Sequence, residues 1–127
     1  MKKIRQGLGI FIAAVLIFAF AGQAGAFCVH NKSDQKMYTK QTANQSFWKG
    51  FQATLEPGTD SCWNWANTDC NKSGGKTDLV SFRVQFNNDA GAIICSDMKI
   101  PACSDLDVIK DGSGNYICVA HGVETCN

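Results

Sequence analysis

Apolar and polar residues alternate one for one along much of this chain. Val80, Phe82, Val84 and Phe86 alternate with Ser81, Arg83 and Gln85, the pattern of a strand with one dry and one wet face. Phe27 and Val29 alternate with Cys28 and His30 in a first strand, and a short extended piece follows near Met37 and Tyr38. Phe47, Lys49, Phe51, Ala53 and Leu55 share one parity. That set is mainly apolar, which assigns it to the core and turns Trp48 outward. Trp63 and Trp65 lie two apart on one side of a further strand, and residues 92–95, 106–110 and 116–120 complete the series.

Turn residues separate these runs. Glu56-Pro57-Gly58-Thr59, Asn87-Asn88-Asp89-Ala90-Gly91 and Asp111-Gly112-Ser113-Gly114 each combine a preset φ or a tolerated positive φ with short polar side chains. Asn67 to Asp78 is polar and glycine-bearing and reads as a loop. Beyond residue 26 no segment sustains a helical apolar stripe. About six to eight short strands predict an all-β domain, a small antiparallel β-sandwich or small barrel.

The start of the chain follows a different rule. Lys2, Lys3 and Arg5 precede an apolar run from Ile10 to Phe20, and Ala24-Gly25-Ala26 follows. This is the order of a signal peptide spanning 1–26, cleaved after Ala26. The run falls well short of the roughly 20 apolar residues that cross a bilayer, so no membrane association is expected after cleavage. Residues 27–127 then form a single secreted or periplasmic domain. Losing three cations and no acid takes the formal charge from +1 to −2, which argues against nucleic acid as a partner.

Seven cysteines in a chain of this size add a disulfide framework. One spacing recurs three times and suggests the pairs Cys62–Cys70, Cys95–Cys103 and Cys118–Cys126; bridging across strands is the alternative. Cys28 is left over in the first scheme, either buried or free to link two chains in a disulfide dimer.

Candidate chemistry is sparse. Gly75-Lys76-Thr77 lacks the upstream glycine of a phosphate loop, since Cys70 stands there, and it leads into a strand. Asp105, Asp107, Asp111, Ser113 and Asn115 alternate like calcium ligands, but the glycine and distal glutamate of an EF-hand are misplaced. No metal or cofactor is expected. Asn31, Asn44 and Asn71 open glycosylation triplets. His30 and His121 are the only histidines; a hydrolase or ribonuclease-like enzyme would need them to converge in a cleft. The richer feature is aromatic. Trp48, Trp63 and Trp65, with Asn64, Asn67 and Asp69 beside them, offer flat rings and hydrogen-bonding groups to a glycan or protein, although Trp63 and Trp65 also suit the core. The reading is a non-enzymatic binding module. A secreted toxin or effector and the histidine-pair enzyme are the alternatives.

Overall fold

A computed structural model describes residues 26–47 and 49–122. These residues form eight strands: β1 (Ala26–Asn31), β2 (Met37–Ala43), β3 (Gln52–Leu55), β4 (Asp60–Asn64), β5 (Leu79–Phe86), β6 (Ile93–Pro101), β7 (Asp105–Lys110) and β8 (Tyr116–Ala120). They build two four-stranded sheets, sheet A in the order β4-β1-β7-β8 and sheet B in the order β3-β2-β5-β6. The expected sandwich is therefore present, and no helix occurs among the described residues. One pair departs from an all-antiparallel sheet, because β1 and β7 run parallel at the centre of sheet A.

The core lies between the sheets and follows the alternation. Val80, Phe82 and Val84 of β5 are fully buried, as are Phe27 and Val29 of β1 and Leu106 and Val108 of β7. Phe27, Phe51 and Phe82 meet edge-on or tilted, with ring centroids 5.6–5.8 Å apart, the arrangement favoured by the ring quadrupole. Pro101 is tolerated at the end of β6 because that strand is an edge, where a missing N–H breaks no ladder.

The sulfur pairing differs from the one the spacing suggested. Cys28 bonds Cys62, and Cys95 bonds Cys118. Cys103 is also disulfide-bonded, whereas Cys70 is a buried free thiol. The scheme Cys62–Cys70, Cys95–Cys103 and Cys118–Cys126 is thus replaced, and Cys28 has no thiol left to link a second chain. Cys28 and Cys62 face each other in the β1–β4 register with their Cα atoms 4.0 Å apart. Cys95 and Cys103 cannot meet, because β6 stays extended from Cys95 to Pro101, a span of about 20 Å. The Cys95–Cys118 bridge instead ties β6 to β8, the edge strands on one flank of the two sheets. Cys126 and residues 1–25, where the signal peptide is expected, lie outside the described residues.

Candidate functional site

A cleft forms where β2 passes into β3. After Ala43 the chain leaves the sheet at Asn44, whose φ is 66°, and re-enters it after Gly50, whose φ is 132°. The latter favours glycine. A Cβ at Gly50 would also stand 3.0 Å from the Gln45 side chain. Gln41, which is 2% exposed, holds both arms of this excursion. Its Nε2 donates to the carbonyls of Ala43 and Cys70, and its Oε1 accepts from the Phe51 N–H.

The loop after β4 supports the excursion from outside. Ser46 N–H donates to the Asp69 carbonyl, and its hydroxyl donates to that of Thr68. Asn44 Nδ2 donates to Asn71 Oδ1, and Lys49 pairs with Asp69 at 3.3 Å. The result is an open cleft of about 450 Å³ lined by Lys40, Gln45, Phe47, Lys49 and Gln52, with Gln41 and Phe51 at its base.

Phe47 is 79% exposed at this cleft, which corrects its own assignment to the core, whereas Phe51 and Leu55 of the same parity are buried as assigned. Strand β3 begins only at Gln52, so two-residue alternation does not extend back through Gly50 to Phe47. The partner assignment, an outward Trp48, falls on a residue outside the described set. Lys40, Gln45 and Gln52 were also missed. Asn44 and Gly50, bracketing a polar stretch rich in glutamine, were the available signal of a turn there.

The other sequence-selected residues are distributed as follows. Trp63 and Trp65 are half-buried and pack against the core, and Trp63 Nε1 is buried with no hydrogen-bond partner. Asn64 and Asn67 are exposed and fold their side chains onto the N–H groups of Ala66 and Asp69. Asp69 comes nearest the cleft, through Lys49. Two of the three glycosylation triplets are closed in the folded protein, because Asn31 and Asn71 are buried and hydrogen-bonded.

The outer face of sheet A gathers both histidines. His30 Nδ1 lies 3.2 Å from Asp60 and its Nε2 lies 3.5 Å from Asp105. His121 Nε2 lies 3.0 Å from Asp107, which Lys32 Nζ also reaches at 3.0 Å. Burial would raise the Asp107 carboxyl, but hydrogen bonds and charge from His121 and Lys32 outweigh it and hold the group below the usual carboxylate range. His30 on β1 and His121 just after β8 therefore flank the aspartates of β7, which lies between those strands.

The two outer faces differ in charge. Sheet A presents Asp60, Asp105 and Asp107 beside its histidines. On sheet B, Lys40 and Arg83 are register partners, and Lys99 stands opposite Ser81 on the next strand. Asp97 accompanies them at one end, where it accepts from Thr42. The cleft thus opens beside the more basic face. Comparison with known protein families, with curated proteins and with solved structures gives no match.

Proposed function

We propose that the chain is an exported, non-enzymatic binding module whose cleft takes an acidic glycan. One observation carries this reading: Phe47 stands 79% exposed at a polar, lysine-bearing cleft. Aromatic rings are enriched where proteins contact partners and ligands, and a concave site with a few convergent polar groups is the usual form of a ligand pocket. The Phe47 ring supplies a flat apolar surface for a sugar face. Gln45 and Gln52 supply amide donors and acceptors for hydroxyls, and Lys40 and Lys49 favour a carboxylate- or sulfate-bearing sugar over a neutral one. Asp69 orients Lys49, so one of the residues singled out by the sequence borders the cleft.

The cystines fit an oxidising compartment outside the cytosol, and a leader spanning 1–26 would deliver the chain there. N-terminal sequencing of exported protein checks the cleavage point.

Binding to a panel of neutral and acidic oligosaccharides tests the function. An acidic ligand should bind the wild type, and Phe47→Ala should weaken it at least about tenfold while leaving the unfolding midpoint unchanged. Equal affinity of the variant, or binding confined to neutral sugars, would remove this reading.

A further inference from the structure

The Cys28–Cys62 bridge is set into a cluster of metal-ligating side chains. A Cys28 Sγ, a His30 ring nitrogen and an Asp105 carboxylate oxygen all lie within 4.8 Å of one another. His30 sits two residues after Cys28 on the same outward face of β1. The register places Cys28 opposite Asp105 on β7 and opposite Cys62 on β4. Two neighbouring strands, β1 and β7, therefore direct one sulfur, one imidazole and one carboxylate to a single spot, and Cys62 of β4 caps that sulfur.

The geometry resembles a zinc site held shut by a disulfide. Zinc takes thiolate sulfur at about 2.3 Å and imidazole or carboxylate at about 2.0–2.2 Å, in a tetrahedron. Two such light ligands on one ion stand about 3.4 Å apart. His30 Nε2 and Asp105 Oδ1 are separated by 3.5 Å. Behind the ring, Asp60 lies 3.2 Å from Nδ1. A carboxylate in that position orients the ring, as outer carboxylates do for metal-bound histidines. In the oxidised protein the sulfurs are bonded to each other and are poor ligands, while Cys62 is exposed to an attacking thiol.

We infer that reduction of Cys28–Cys62 opens a zinc site made of Cys28, His30 and Asp105, with the fourth position open to water. The balance is complete with a dithiol as reductant. Two electrons pass from the dithiol to the cystine, the S–S bond breaks, and the dithiol becomes a disulfide. Its two protons go to Cys28 and Cys62; Cys62 keeps its proton, and that of Cys28 is released as its thiolate binds Zn²⁺. The inference stands on sheet A and is independent of the cleft on sheet B.

Cys62→Ser frees the Cys28 thiol without any reductant and leaves Cys95–Cys118 intact. Zinc competition against a chromogenic chelator, with near-ultraviolet circular dichroism to follow the fold, should give one equivalent of Zn²⁺ for this variant. Oxidised wild type and the Cys28→Ser/Cys62→Ser double variant should take up none. Adding His30→Asn or Asp105→Asn to Cys62→Ser should weaken uptake at least about tenfold. Should Cys62→Ser not fold, dithiol-treated wild type is compared with dithiol-treated His30→Asn, and the same tenfold loss is expected. Zinc uptake by Cys62→Ser no greater than by the double variant overturns the inference. So does uptake indifferent to His30 in either background.

Discussion

At the residue scale, a few polar side chains control segments much larger than themselves. Gln41 satisfies three backbone groups, one at the end of β2 and two in the loops beside it, and buried backbone groups left unpaired are costly. Gln41→Leu should therefore lower stability by about 3 kcal/mol in urea unfolding, more than volume alone would explain. Asp34, Lys110 and Tyr116 form a surface group of another kind. Tyr116 Oη donates to Asp34 at 2.6 Å, and Lys110 Nζ lies 3.2 Å from the same carboxylate. The hydrogen bonds from Tyr116 and Lys110 lower the Asp34 carboxyl, and the hydrogen bond to Asp34 raises the Tyr116 phenol. The signs are opposite in effect. The Asp34 contribution is present above the unfolded carboxylate value, near 3.9, and fades as pH falls through the lowered folded value. The Tyr116 contribution is complete below about 10 and fades as pH rises through the raised folded value. Asp34→Asn should bring the Tyr116 titration down, read as tyrosinate absorbance in a Tyr38→Phe background that leaves one tyrosine.

At the element scale, the two sheets are joined along one flank by sulfur. Cys95 and Cys118 link β6 to β8 and close a loop of 23 residues in sequence. On the chain-entropy account, replacing both by serine should cost about 3 kcal/mol in chemical unfolding. A loss below about 1 kcal/mol would mean that packing between the sheets already fixes these edges. Cys70 plays no such part. Burial, and secondarily the charge of Asp69, push its thiol up to about 11, so it behaves as a small core residue and not as a nucleophile. The excursion between β2 and β3 is the element on which the binding proposal depends. Its shape comes from Gln41, Gly50 and the contacts of Ser46 and Lys49 with the loop after β4.

At the scale of the whole molecule, charge is divided between the outer faces. Asp60, Asp105, Asp107 and the histidines lie on sheet A with Lys32 among them, and Lys40, Arg83 and Lys99 lie on sheet B with Asp97 at one end. A ligand drawn to the basic side should lose affinity with ionic strength. Binding of an acidic glycan should weaken about fivefold between about 50 mM and about 500 mM salt, and Lys40→Ala should flatten that dependence. Affinity unchanged across this range, measured calorimetrically, would assign the binding to the ring and amides alone.

The sequence by itself determined the strands, because two-residue alternation is a local property that each segment carries whatever its neighbours are. Val80 to Phe86, the Pro57-Gly58 turn and the Asp111 to Gly114 turn could all be read without knowing the fold. Tertiary structure decided the rest. Which cysteines bond depends on which strands become neighbours, and β1 meets β4 and β7 only after distant segments converge. The same convergence sets His30 between Asp60 and Asp105, and His121 against Asp107. Phe47 was misread for a related reason: alternation holds only within a strand, and the chain leaves β2 at Asn44 and does not rejoin the sheet until after Gly50. The cleft is made from that break in the pattern, at a point where periodicity carries no information.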